Sequence, residues 1–182
     1  ANTYTGATLV TAGTLRATTS ASALGAGALT LAGGTLQLAD DTGLNFARNC
    51  TVTTSSTVTS DRMTAGAGTT QTLGTLSIGA QTLNVTAGTN VTSGTAEVIF
   101  GATTLTGNPT FNVTNNGSAT GQLTLGALSD GGVARTVTNT GTGNLIFGAA
   151  AGTLTSGSSL VVNGGLAQVN TAGALGATGL YN

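Results

Sequence analysis

The sequence predicts an all-β chain wound as a right-handed parallel β-solenoid of roughly seven to nine coils, each about 22–25 residues long. Three observations predict it. The composition favours strands and leaves little for helices. Apolar and polar residues alternate in short runs separated by glycine. A short apolar phrase recurs at intervals the length of one coil.

The chain has 182 residues, of which 40 are threonine and 30 glycine; 5% are charged and 3% aromatic. Threonine and glycine are poor helix formers, whereas β-branched side chains suit a pleated, half-buried surface. The hydrophobic share is 39% and the net charge −1. A disordered chain pairs low hydrophobicity with high net charge, so this one can bury a core. Thr, Ser, Gly or Asn interrupts every apolar stretch, which leaves no run for a membrane-spanning helix. A membrane β-barrel needs aromatic girdles, and four Phe and two Tyr do not furnish them.

The alternation is plain in Thr35-Leu36-Gln37-Leu38, Thr82-Leu83-Asn84-Val85-Thr86 and Thr110-Phe111-Asn112-Val113-Thr114. Period two is the strand signature. Ala32-Gly33-Gly34, Asn115-Asn116-Gly117 and Asp130-Gly131-Gly132 read as turns. The recurring phrase is Leu76-Ser77-Ile78-Gly79-Ala80, then Val98-Ile99-Phe100-Gly101-Ala102, Leu123-Thr124-Leu125-Gly126-Ala127 and Leu145-Ile146-Phe147-Gly148-Ala149. Its spacings are 22, 25 and 22 residues, and Thr82-Leu83 returns 22 residues later as Thr104-Leu105. This pattern places Leu83, Val98, Phe100, Phe111, Leu123, Leu125, Leu145 and Phe147 in the core. Outward Asn84, Asn112 and Asn139 are expected to form amide contacts between coils, as threonines do.

Residues 1–182 are thus read as a single solenoid segment. A longer repeat runs through it at an offset of 151: Thr8-Leu9-Val10 meets Ser159-Leu160-Val161, Leu15 meets Leu166, and Ala23-Leu24-Gly25-Ala26 meets Ala174-Leu175-Gly176-Ala177. A first repeat covers 1–38 and a second copy opens at about 153–182. This implies a longer parent array, with end coils made to stack on further repeats or on a neighbouring copy.

The opening, Asn2-Thr3-Tyr4-Thr5-Gly6-Ala7-Thr8-Leu9-Val10-Thr11-Ala12-Gly13-Thr14-Leu15, resembles the autotransporter-associated β-strand repeat, found in autotransporter passengers and very large bacterial surface proteins. The match is specific over residues 1–15 and extends to about residue 38. The second copy has Thr153 and Thr155 where Asn2 and Tyr4 stand. The resemblance implies a β-helix outside the cell, associated with the outer membrane. Ala1-Asn2-Thr3-Tyr4 carries no signal-peptide features, and no anchoring barrel is present, so the segment is read as mature and as a fragment.

The residue inventory narrows the chemistry. Without histidine or lysine there is no Ser-His-Asp triad, no histidine-dependent zinc site, no Schiff-base lysine and no P-loop lysine. Cys50 is alone, so it reads as a small buried hydrophobe. The carboxylates are Asp40, Asp41, Asp61, Glu97 and Asp130. Adjacent Asp40 and Asp41 point to opposite faces if extended, and read as a solvated turn. Asp130-Gly131-Gly132 lacks a calcium-binding repeat and reads as a turn. Arg62 beside Asp61 reads as a surface pair. Arg16, Arg48, Arg62 and Arg135 form no basic cluster and so do not support nucleic-acid binding. Tyr4 is expected to cover a coil end or turn; Tyr4 and Tyr181 are the tyrosines available to stack on sugars.

The expectation is therefore a non-enzymatic protein with no catalytic, cofactor-binding or metal residue. Its expected role is a stiff repeat-array spacer or filament of a bacterial surface protein. The alternative is an adhesin passenger that binds a glycan or a host or neighbouring-cell surface protein. The expected partner is the chain itself or further repeats; neither nucleic acid nor membrane insertion is expected.

Overall fold

A computed structural model describes residues 2–148 and 152–176. Among them there is no helix, and every pairing between strands is parallel. The chain is a β-solenoid.

Three faces carry the ladders. The first is six strands deep and stacks β1 (Thr8–Val10), β3 (Leu29–Ala32), β5 (Cys50–Thr54), β9 (Leu76–Ile78), β13 (Thr103–Leu105) and β16 (Leu128–Ser129). The second is seven deep: β2 (Thr14–Thr18), β4 (Thr35–Ala39), β6 (Ser56–Asp61), β10 (Thr82–Ala87), β14 (Thr110–Thr114), β17 (Thr136–Gly141) and β19 (Ser159–Val162). The third is five deep: β8 (Thr70–Thr72), β12 (Thr95–Phe100), β15 (Thr120–Leu125), β18 (Asn144–Phe147) and β20 (Leu166–Val169). A small fourth sheet pairs β7 (Gly66–Ala67) with β11 (Val91–Ser93).

Burial follows the period-two pattern. In β10, Leu83 and Val85 are buried while Thr82, Asn84 and Thr86 are half-exposed. Each inward residue lies on an inward residue of the next coil: Leu83 on Phe111, Val98 on Leu123, Leu123 on Leu145 and Leu125 on Phe147. All eight residues assigned to the core by the sequence are fully buried. The three glycine-rich breaks are turns, and Gly33, Gly117, Gly131 and Gly132 have positive φ. Asn112 Nδ2 donates to Asn84 Oδ1 at 2.8 Å, giving the expected amide contact between coils.

Four features differ from the sequence reading. The seven-strand face makes six turns, fewer than the expected seven to nine coils. The cause is coil length. The first step on this face, Thr14 to Thr35, takes 21 residues, but the steps from Thr82 to Thr110 and from Thr110 to Thr138 take 28. Between β6 and β12 the extra residues form a ridge built around β7 and β11, and in the step from Thr110 to Thr138 they lie in the loops 115–119 and 130–135. Six rises of about 4.8 Å carry this face about 29 Å.

The second difference is phase. The phrases at Val98, Leu123 and Leu145 do stack, but Leu76-Ser77-Ile78 lies on another face, between Cys50-Thr51-Val52 and Thr103-Thr104-Leu105. Thr82-Leu83 pairs with Thr110-Phe111, not with Thr104-Leu105. Strands on different faces share one apolar-x-apolar pattern, so a sequence interval cannot tell a full coil from a partial one.

Third, Asn139 points inward from β17, opposite Phe111, and is fully buried. Thr140, not Asn139, continues the Asn84–Asn112 row. Asn139 Nδ2 donates to the Gly164 carbonyl at 2.9 Å, while its Oδ1 has no partner.

Fourth, the 151-residue repeat holds in its turn but not in its strands. Ala23 N donates to Ser20 O and Gly25 N to Ser22 O, both at 3.0 Å; Ala174 N and Gly176 N donate to Thr171 O and Gly173 O at 3.1 and 3.0 Å. Leu24 and Leu175 are both buried. Yet Leu15 faces inward over Leu36 on the second face, whereas Leu166 pairs with outward Asn144 on the third and is exposed. A shift of one residue turns a strand's side chains to the opposite side, and that is the relation between the two copies. The part of the second copy at 177–182, Tyr181 included, lies outside the described residues, as does Ala149 of the last phrase.

Truncation of Phe147 to Ala is expected to cost about 3–5 kcal/mol by denaturant unfolding, because its ring is fully enclosed by stacked neighbours. Thr86→Ala, on the outer side of β10, is expected to stay within about 0.5 kcal/mol of the parent.

Candidate functional site

The ridge is where the described coils depart from three plain faces. It has its own small apolar centre of Ala87, Val91, Ala96 and Ala119, separate from the main core. Its base gathers Asp40, Asp41, Asp61 and Arg62.

Asp61 is the anchor. It is 1% exposed, not the surface residue that its place beside Arg62 suggests. Its Oδ1 accepts from the backbone N–H of Arg62 at 2.8 Å and of Asn90 at 3.0 Å, and its Oδ2 accepts from Gln37 Nε2 at 2.6 Å. One carboxylate thereby ties three successive coils. Space at this point is closed: a Cβ on Gly88 would lie 2.0 Å from Asp61 Cγ.

Arg62 pairs instead with Asp41, Nη2 to Oδ1 at 3.5 Å. Its Nη1 also donates to the carbonyls of Asp41 at 3.0 Å and Ala67 at 2.8 Å, and its Nε to Thr64 O at 3.1 Å. The guanidinium satisfies carbonyls of the ridge and of its base. Asp41 accepts from Thr64 N and Oγ1 and from Met63 N. The Thr64 backbone bond, followed by the Thr64 hydroxyl bond, holds its carboxyl below the usual value. Asp40 does form the expected turn, accepting from Thr42 N and Oγ1 at 2.9 and 2.8 Å.

Asp130 repeats the Asp61 arrangement at a different corner. It lies in the predicted turn but is 2% exposed. Its carboxylate accepts from Gly132 N, Thr155 N, Thr155 Oγ1 and Ser158 Oγ at 2.5–3.0 Å. Burial is the largest single influence and pushes its pKa up; the bonds from Thr155, Ser158 and Gly132 together outweigh it and hold the carboxyl below its usual value. Glu97, on the outside of the third face, accepts from Thr70, Gln122 and Thr124 at 2.9, 2.8 and 2.6 Å. The carboxylates of Asp41, Asp61, Asp130 and Glu97 are occupied by hydrogen bonds that join coils, whereas that of Asp40 closes a local turn.

Among the buried polar groups that sequence reasoning missed are Asp61, Gln71 and Asn139. Gln71 is fully buried, accepts from Leu44 N at 3.0 Å and donates to Thr69 Oγ1 at 3.1 Å. Its position opposite Val98 marks it as inward, a fact visible only once the register is known.

The remaining singled-out residues fall apart in space. Among the described residues no three His, Cys, Asp or Glu side chains come close enough to hold a metal ion. Cys50 is 2% exposed, and burial raises its thiol pKa to about 12. Tyr4 covers a turn: its ring lies where a Cβ of Gly25 would be, its OH bonds Thr8 Oγ1 at 2.6 Å, and its carbonyl accepts from Ala26 N at 3.0 Å. Asn2 Nδ2 donates to Ala23 O at 2.7 Å. Hollows lie at the two ends, about 270 Å³ beside Asn2, Leu15 and Arg16 and about 450 Å³ between Leu160, Val169 and Leu175.

No known protein family, curated protein or solved structure matches the chain.

Gly88→Ala is expected to lower stability by about 1–3 kcal/mol in chemical denaturation, since either Asp61 or the backbone must move. Asp130→Ala is expected to cost about 2–3 kcal/mol by removing charge-assisted bonds between two coils. For Cys50, burial favours the neutral thiol in the folded state. Its contribution to stability is complete below the ordinary thiol pKa of 9.0 and is lost as pH rises from there towards about 12. The expected observation is negligible alkylation of native protein at pH 8, full alkylation after unfolding, and a midpoint that falls above pH 9 less in Cys50→Ala than in the parent.

Proposed function

We propose that this chain is a stiff structural segment of a bacterial extracellular surface protein or fibre, in which stacked coils act as a spacer. The observation that carries this reading is the unbroken ladder of seven parallel strands over one continuous apolar core. Such a stack resists bending because neighbouring coils are joined by hydrogen bonds along three faces at once. Stability is a sum of similar nearest-neighbour terms, so the design lengthens by adding coils. The surface placement is supported by the resemblance of Asn2 to Leu15 to the autotransporter-associated repeat.

Stretching single molecules between their two ends tests the rod. The expected record is stepwise, with each step releasing about one coil; smooth extension at low force would remove the spacer reading. Placement is tested on intact cells of the source bacterium, where external protease is expected to remove the segment.

The adhesin reading is favoured by the ridge, where Met63, Thr64 and Ala65 are exposed beside the Asp41–Arg62 pair. Saturable binding of the chain to a glycan or cell-surface protein, abolished by Met63→Asp, would replace the spacer reading with this one.

A further inference from the structure

The two ends of the solenoid differ. At the start, Val10 and Ala17 in the first coil are already buried, and the Asn2–Tyr4 arm is bonded to the Ser20–Ala26 turn. At the far end, two of the four inward residues of the last coil, Leu160 and Ala167, are partly buried and two are open: Val162 is 51% and Val169 48% exposed. Their neighbours one coil below are Asn139 and Phe147, both fully buried. Among the described residues β19 and β20 end their sheets, each with one unpaired edge.

The spacing of the inward residues identifies what fits there. In the last coil they are Leu160 and Val162, then Ala167 and Val169, with seven residues from the first to the third. The first coil has Thr8, Val10, Leu15 and Ala17, and the second Leu29, Leu31, Leu36 and Leu38, again with a seven-residue interval. Other coils turn more widely. The interval is fifteen from Leu83 to Val98, twelve from Phe111 to Leu123 and eight from Val137 to Leu145. The three tight corners each contain a glycine of positive φ, Gly13, Gly33 and Gly165. Within this chain, the tight corner of β1 and β2 is covered by β3 and β4, residue on residue. The turn that leads from β2 to β3 is the one that follows β20 with the same two hydrogen bonds.

We propose that the open edge of β19 and β20 is a docking surface for a further tight coil of the Leu29–Leu38 kind, supplied by another copy of the repeat. Leu29 and Leu31 of that copy lie over Leu160 and Val162, and Leu36 and Leu38 over Ala167 and Val169. The corner formed by the first and second faces at one end is thereby rebuilt one face further round at the other. A surface feature repeated in successive copies would point in a new direction each time. The inference deepens the spacer reading, but a rod can be stiff without extending at this edge, so the two tests fail separately.

The test grafts residues 26–61 onto the chain after Gly176, in one version directly and in a second with one glycine added at the joint. The second version absorbs the one-residue difference between the sequence repeat and the inward frame. Amide hydrogen exchange is read over Ser159–Val169. The expected result in at least one version is protection increased at least about tenfold over the ungrafted chain. A control graft carrying Leu29→Ser, Leu31→Ser, Leu36→Ser and Leu38→Ser is expected to leave exchange unchanged. Unchanged exchange in both leucine versions overturns the proposal, as does equal protection by the serine control. If the ungrafted chain dimerises through this edge and the graft leaves the dimer intact, the edge belongs to a second whole molecule and the proposal falls.

Discussion

The structure depends on one repeated contact: an inward apolar side chain resting on the inward side chain of the next coil. Val98 on Leu123 on Leu145, and Phe100 on Leu125 on Phe147, are columns of this kind. The backbone ladders keep the columns aligned, because a slip by one residue would turn every apolar side chain outward. The columns in turn hold the ladders dry. Neither interaction specifies the fold without the other.

Charge is used sparingly and inside. Asp61 and Asp130 are nearly inaccessible, and both accept hydrogen bonds from backbone and side chains of neighbouring coils. A buried carboxylate is costly unless such donors surround it. Where they do, it fixes the relative position of loops that have no strand pairing of their own. Arg62 does the complementary task, donating to three carbonyls in the ridge. Asp41, Asp61, Arg62 and Asp130 thus serve the corners, where the ladder is interrupted, while the faces are held by Thr, Asn, the core and, on the third face, Glu97.

Lengthening the coil had a structural consequence. The 28-residue coils of the middle keep the same inward columns as the shorter ones, and the surplus leaves the sheets at the corners, as the ridge and as the loop at 130–135. A solenoid tolerates this because the extra chain stacks on extra chain above and below, with Ala87, Val91, Ala96 and Ala119 forming its small core. Laterally, the rod gains one irregular side without losing axial continuity.

The amino-acid sequence by itself determined the all-β class, the solenoid and the identity of the main core residues, because period-two alternation and glycine punctuation are local properties of the chain. The turn at Asp130-Gly131-Gly132 was legible for the same reason, and the cover provided by Tyr4 from its place in the motif that the opening resembles. Tertiary structure alone decided the phase. Leu76-Ser77-Ile78 and Val98-Ile99-Phe100 look alike, but only the closing of each coil places them on different faces. It also decided which polar residues lie inside. Asp61, Gln71 and Asn139 carry no local mark of burial: Gln71 and Asn139 point inward because the register places them opposite Val98 and Phe111, while Asp61, on the outer side of β6 beside Gln37, is covered by the ridge.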